Sequence, residues 1–171
     1  MGKKIKKSIQ TENKKKKKIW TPDQSLTKMD YNYGVTICWD DEDINLTKLK
    51  KGPGLFIATD ISRLQLNRCK RLAINIPQSQ LRFLKPQMPL LEELDLSMNG
   101  LKYIELYESC YPSLERLILD GNEIESAAAI FKVKGIPSLK MISLIGNPIA
   151  TNKTELELLK QALPNINIRT A

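Results

Sequence analysis

LEELDLSMNGL at 91–101, LERLILDGNEI at 114–124 and LKMISLIGNPI at 139–149 are one pattern written three times, L-x-x-L-x-L-x-x-N-x-L with isoleucine standing in for some leucines. The copies start 23 and then 25 residues apart. In each, the alternation around L-x-L points apolar side chains one way from a short strand, so successive strands stack in parallel over a shared core. The asparagines, Asn99, Asn122 and Asn147, fall at the bend after the strand, where a side-chain amide can bond backbone groups that no ladder reaches.

Proline supports the same register. Pro89, Pro112, Pro137 and Pro164 each stand two residues before the first apolar position of a strand, at Leu91, Leu114, Leu139 and Ile166. A residue with fixed φ and no N–H suits the turn entering a strand and not its middle. The fourth copy, Leu163-Pro164-Asn165-Ile166-Asn167-Ile168, reads as a short capping strand.

On these residues the segment 61–171 resembles the leucine-rich repeat superfamily, whose period is roughly 20–29 residues. The resemblance implies an α/β solenoid of about four repeats plus a C-terminal cap, with a parallel sheet on the concave face. Leu139 to Pro148, a following short helix and Leu163 to Ile166 are similar to the cap of one intracellular subfamily. That subfamily holds phosphatase-regulating leucine-rich proteins, acidic nuclear leucine-rich phosphoproteins and the leucine-rich subunit of a spliceosomal small nuclear ribonucleoprotein. Such relatives are binding scaffolds. The chain departs from them in having too few repeats for the long phosphatase regulators and a basic stretch where the phosphoproteins are acidic.

An earlier copy of the pattern is read at Ile61, Leu64, Leu66 and Cys69, with Cys69 at the asparagine position and a longer step of 30 residues to Leu91. Return segments should run along the convex side. Ser126 to Lys134 reads as a helix stopped by Gly135, and Thr151 or Asn152 as the cap of a helix carrying Leu156, Leu159 and Leu163, which covers the open end of the core.

Charge is unevenly spread. Residues 1–20 hold nine lysines and one acid, Glu12, while the remaining 151 residues balance at 18 basic and 18 acidic side chains. The chain therefore divides into a lysine-rich extension (1–20), expected to be disordered in isolation, an N-terminal cap or irregular segment (21–60) and the repeat domain (61–171). Within 21–60, Val35 to Trp39 reads as a strand, Asp40 to Asp43 as an exposed acidic turn, Lys51 to Gly54 as a turn and Leu55 to Ile57 as another short strand. The three cysteines leave one unpaired in any disulfide scheme, which points to a reducing, intracellular compartment. No membrane span, secretory leader or myristoylation pattern is read.

The absence of histidine removes Ser-His and Cys-His nucleophile arrangements and the usual zinc sites, so no catalytic residue, metal or cofactor is expected. Two sets of residues suggest binding instead. For RNA phosphates these are Lys3, Lys4, Lys6, Lys7, Lys14, Lys15, Lys16, Lys17 and Lys18, with Trp20 able to stack on a base, and a basic edge of Arg63, Arg68, Lys70 and Arg71. For protein they are the concave rows, expected to run Arg63, Glu93, Arg116, Met141; Gln65, Asp95, Ile118, Ser143; and Asn67, Ser97, Asp120, Ile145.

The first functional expectation is a structural or accessory component of a ribonucleoprotein, with the cytoplasmic ribosome foremost: the repeat domain docks beside neighbouring proteins and the lysine arm follows rRNA. The second is a protein-binding adaptor of the spliceosomal or phosphatase-regulating type, whose basic stretch is a nuclear localisation signal. In the latter branch, Ile19 and Trp20 are adjacent where a phosphatase docking motif needs a spacer. Neither reading involves a small-molecule substrate or a membrane.

Overall fold

The computed structural model of the protein describes residues 42–47, 68–84, 88–106 and 108–171. The lysine-rich extension, the strands read at Val35–Trp39 and Leu55–Ile57, the turn at Lys51–Gly54 and the positions Ile61, Leu64 and Leu66 lie outside the described residues.

Alternation of apolar and polar residues produces six short strands among the described residues. They are β1 (Asp43–Leu46), β2 (Arg71–Ile74), β3 (Glu93–Asp95), β4 (Arg116–Ile118), β5 (Met141–Ser143) and β6 (Asn167–Arg169). They form one open parallel sheet in chain order, each strand pairing with the next. Parallel neighbours need a return path, which here runs over the convex side through α1 (Gln78–Leu81), several 3₁₀ turns and α2 (Lys153–Ala162). The arrangement is α/β and fits a leucine-rich-type solenoid.

The inward residues Leu72, Leu94, Leu117 and Ile142 stand in register, followed by Ile74, Leu96, Leu119 and Leu144, and all are essentially inaccessible to water. Burying each such side chain stabilises the fold by about 1.5–3 kcal/mol. Each proline occupies the second position of a tight turn, closed by Leu91 N to Met88 O at 3.1 Å, Leu114 N to Tyr111 O at 3.3 Å, Leu139 N to Ile136 O at 3.3 Å and Ile166 N to Leu163 O at 3.1 Å.

The asparagines form a ladder behind the sheet. Asn122 Nδ2 donates to Leu96 O (2.9 Å) and Leu119 O (2.8 Å), while its Oδ1 accepts from Asn99 N and Leu101 N, both 3.0 Å. Asn147 Nδ2 donates to Leu119 O (2.8 Å) and Leu144 O (3.2 Å), and its Oδ1 accepts from Ile124 N (3.1 Å). Asn99 does the same one turn earlier, with Ile74 O at 2.9 Å and Ile76 N at 2.7 Å. Asn122 and Asn147 are buried at 4% and 2% exposure, so these bonds replace water that cannot reach them.

Three expectations are corrected. The strand register pairs Leu72 with Leu94, which puts Cys69 at the first apolar position, matching Leu91, and not at the asparagine position. Cys69 is fully buried there, the step to Leu91 is 22 residues, and Pro77 stands where later turns have asparagine. Asp43, read as part of an exposed turn, opens β1, whose Ile44 and Leu46 are buried. The helix expected over Ser126–Lys134 is two 3₁₀ turns, Ala127–Ala129 and Phe131–Gly135. The cause is the spacing of buried side chains. Ala127, Ile130, Val133 and Ile136 recur every third residue, which suits 3.0 residues per turn and not 3.6.

The cap of α2 is as expected: Asn152 Oδ1 accepts from Glu155 N at 3.3 Å. Leu159 and Leu163 are buried, and Glu155 Oε2 accepts from Ala127 N at 2.7 Å, fastening the helix to the neighbouring return segment. No helix among the described residues is long and apolar enough to cross a membrane.

Candidate functional site

Because strand side chains alternate, what is not core lies on the opposite, concave face of the sheet. Register places Asp43, Arg71, Glu93, Arg116, Met141 and Asn167 in one row across the six strands, and Asn45, Ala73, Asp95, Ile118, Ser143 and Arg169 in the next. Asn75, Ser97, Asp120 and Ile145 continue a third row where the strands bend. Arg63, Gln65 and Asn67 were expected to head these rows. The observed register gives those places to Arg71, Ala73 and Asn75, and Arg63, Gln65 and Asn67 all lie outside the described residues.

The charged members of the face answer one another. The Arg71 guanidinium is bidentate on Asp43, with Nη2 2.6 Å from Oδ2. Arg116 Nε meets Glu93 Oε2 at 2.7 Å, with both side chains about two-thirds or more buried. Along the lower margin, Glu42 takes Arg68 at 3.3 Å and Lys70 at 3.2 Å, and Glu115 takes Lys140 at 2.6 Å. Hydrogen bonding from Arg71 holds the Asp43 carboxyl below its ordinary range, Lys70 and then Arg68 do so for Glu42, and Lys140 for Glu115. The Arg71 guanidinium is correspondingly held more firmly protonated by Asp43. At the basic edge expected of Arg68, Lys70 and Arg71, Glu42 and Asp43 offset two of the three positive charges through exposed ion pairs.

The remaining acids shape backbone. Asp95 Oδ1 accepts from Ser97 N (2.8 Å) and Ser97 Oγ (2.5 Å), and Asp120 Oδ1 accepts from Ser143 Oγ (2.6 Å) and Ile145 N (3.0 Å). In both carboxylates Oδ2 has no partner among the described residues. Ser143, expected as a contact residue, is only 3% exposed with its hydroxyl occupied by Asp120, so it forms floor and not surface.

What the pairs leave is an apolar centre of half-buried Ile118, Met141 and Ile145, bounded by Arg116 on one side and by Asn167 and Arg169 on the other. Over the first three strands, where Ala73 carries only a methyl group, the face dips into a depression of about 310 Å³ lined by Asp43, Asn45, Arg71, Ala73, Glu93 and Asp95 among others. Asp43, Asn45, Ala73, Asn75, Asn167 and Arg169 are the face residues that sequence reasoning missed. The alternations Asp43-Ile44-Asn45-Leu46 and Ile166-Asn167-Ile168-Arg169 were the signals for four of them.

The lysines from Lys3 to Lys18 and Trp20 lie outside the described residues. Among the described residues no group of three or more His, Cys, Asp or Glu is placed to hold a metal ion.

No protein-family model matches the chain. Part of it is similar to two curated proteins. One is cilia- and flagella-associated protein 410 of Homo sapiens, 39% identical over 62 residues, which are 36% of this chain and 24% of that protein. The other is leucine-rich repeat-containing protein 51 of Bos taurus, 33% identical over 73 residues, 43% of this chain and 38% of that protein. The chain thus spans well under half the length of either relative. Neither is named for an enzymatic activity, and the second carries the repeat type in its name.

Proposed function

We propose that this protein is a non-catalytic leucine-rich repeat adaptor that binds a protein partner across the concave face of its sheet. The observation that carries the reading is the cross-strand neutralisation of that face around Ile118, Met141 and Ile145. A phosphate-binding face needs several clustered uncompensated cations, whereas among the described residues Arg71 and Arg116 are paired and Arg169 stands alone; an apolar centre beside cross-strand charge pairs suits a protein surface, where the rim sets orientation and the centre supplies affinity. On this reading the sheet comprises about four repeats closed by a C-terminal cap of the spliceosomal-subunit type.

The lysine-rich stretch favours a second reading, an accessory component of a ribonucleoprotein such as the ribosome. There residues 1–20 neutralise RNA phosphates and the folded domain docks on a neighbouring protein.

One experiment separates the two. The full chain, a concave variant carrying Ile118→Asp and Met141→Asp, and a variant with Lys14 to Lys18 replaced by glutamine are recovered from cell extract at low and high salt, with and without RNase. Their companions are then quantified by mass spectrometry. The adaptor reading expects specific proteins that survive high salt and RNase and disappear with the concave variant. The ribonucleoprotein reading expects RNA-dependent companions that persist with the concave variant and are lost with the glutamine variant, with affinity falling by a log–log slope of about 0.7 per phosphate contacted. Companions unaffected by the concave variant refute the adaptor.

A further inference from the structure

The second row of the face, followed from β3 to β6, reads Asp95, Ile118, Ser143, Arg169: an acid, an apolar side chain, a buried floor and a base. The two ends, like Asp120 in the next row, differ from the cross-strand ion pairs of the face in having no opposite charge against them among the described residues. Arg71 and Arg116 are held by cross-strand carboxylates, whereas Arg169, an exposed residue, makes only a 3.3 Å bond from Nε to Ala171 O, leaving both Nη groups without a partner among the described residues. Asp95 uses Oδ1 alone and borders the depression over Ala73, where Asp43 is paired with Arg71 and Glu93 with Arg116, so that Asp95 is the lining carboxylate with no cationic partner among the described residues. One end of the row is therefore a seat for a cation, with room beside it for a long aliphatic stem, and the other is a seat for an anion.

Spacing narrows the occupant. Neighbouring strands lie about 4.8 Å apart, so Asp95 and Arg169, three strand steps apart, are separated by about 14 Å with the Ile118 and Ser143 positions between. An extended peptide rises about 3.3 Å per residue and turns alternate side chains the same way, so residues i, i+2 and i+4 fall at about 0, 7 and 13 Å on one face. Building on the adaptor reading, we infer that the face takes an extended protein segment lying across the strands with the pattern Lys/Arg-x-apolar-x-Asp/Glu. The cation sits against Asp95 and the Ala73 depression, the apolar side chain on Ile118 and Met141, and the acid on Arg169. Either chain direction serves, because the order of the three groups carries the match.

The test is fluorescence anisotropy on the full chain at physiological salt, with labelled Gly-Ser-flanked peptides of core Lys-Thr-Leu-Thr-Asp. The comparators are Lys-Thr-Leu-Thr-Lys, Asp-Thr-Leu-Thr-Asp and Lys-Thr-Asp-Thr-Leu. The first should bind about fivefold or more tightly than each comparator, the scale expected when one exposed ion pair is replaced by repulsion. Arg169→Glu should invert the preference, favouring the peptide ending in lysine over the one ending in aspartate. Ala73→Leu, which fills the depression, should weaken the first peptide by a similar factor while the far-UV melting curve stays in place.

Equal binding of all four peptides, binding by none, or a ranking that Arg169→Glu leaves unchanged overturns the inference. The adaptor reading fails separately. If extract partners are lost with Ile118→Asp and Met141→Asp while the peptides fail, only the charge pattern is wrong; if the partners are retained, the docking face itself is wrong.

Discussion

Replacing Asn122 by alanine should cost more stability than its surface area suggests, and the structure says how much. The amide makes four bonds. Of its four partners, Leu119 O keeps a second donor in Asn147 Nδ2 at 2.8 Å, so three groups are orphaned: Asn99 N, Leu101 N and Leu96 O. Each buried polar group left unpaired costs about 1–3 kcal/mol, and partial relaxation or an entering water brings the sum to about 3–5 kcal/mol. Net stabilities are about 5–15 kcal/mol, so the loss is a large part of the whole. Asn99→Ala, one turn earlier at a half-buried position with two bonds, should cost about 1–2 kcal/mol, because water can reach what it leaves. Urea unfolding followed by circular dichroism, with the slope unchanged between variants, gives the two numbers directly. Equal costs at the two positions, or less than about 1 kcal/mol at Asn122, would refute the claim that these amides close the turns.

Met98 has φ of 57°, in the left-handed region, where the following turns place Gly121 and Gly146. A Cβ on Gly121 would stand 2.2 Å from Met98 Sδ, so Gly121→Ala should cost about 1–2 kcal/mol through backbone strain and the displaced sulfur. Met98→Gly should remove part of that cost, a non-additivity that a double-mutant cycle by urea unfolding detects. Glu42, Asp43 and Glu115 have folded pKa values below their unfolded ones, so their contribution is complete above the ordinary carboxylate range and is lost as pH falls through the lowered values. Urea midpoints should hold from pH 7 to about 5 and fall below about 4.5, less steeply in Arg71→Leu with Lys140→Leu. Tyr111, fully buried with its hydroxyl donating to Leu84 O at 3.0 Å, is pushed well above the usual phenol range by burial. Absorbance near 295 nm should show it ionising only with alkaline unfolding. Asn152→Ala should cost about 1 kcal/mol in thermal or urea unfolding by uncapping α2.

Where chemistry repeats in register, the sequence was readable. Leu-x-Leu with asparagine three residues on located β3, β4 and β5, and the prolines located the turns, because each of these residues has one physical task that few others perform. Reading failed where that marker is missing. The β2 turn has Pro77 in place of asparagine, so the pattern was matched eight residues early, with Cys69 at the asparagine position and a 30-residue step, where the observed register starts the repeat at Cys69 and steps 22 residues. β1 was hidden because its one acid, Asp43, ends an acidic run that looks like a turn in isolation and makes sense as strand only opposite Arg71. The concave rows from Glu93 onward followed from alternation alone. Which charges cancel did not, because cross-strand partners lie 23–28 residues apart and pair only once the register is known.

The asparagine ladder also carries a direction in time. Asn122 satisfies the turn after β3, and Asn147 the turn after β4, so each bend is finished by a side chain from the next coil of the chain. During synthesis from the N-terminus, the backbone of one bend stays dependent on water until some two dozen more residues have emerged and folded beside it. Ordering then advances one coil behind elongation. A pause in translation before Ser143 emerges would leave the N–H groups of Leu119, Gly121 and Ile124 without their partners Ser143 O, Ile145 O and Asn147 Oδ1, with their apolar neighbours exposed to whatever chaperone attends the growing chain.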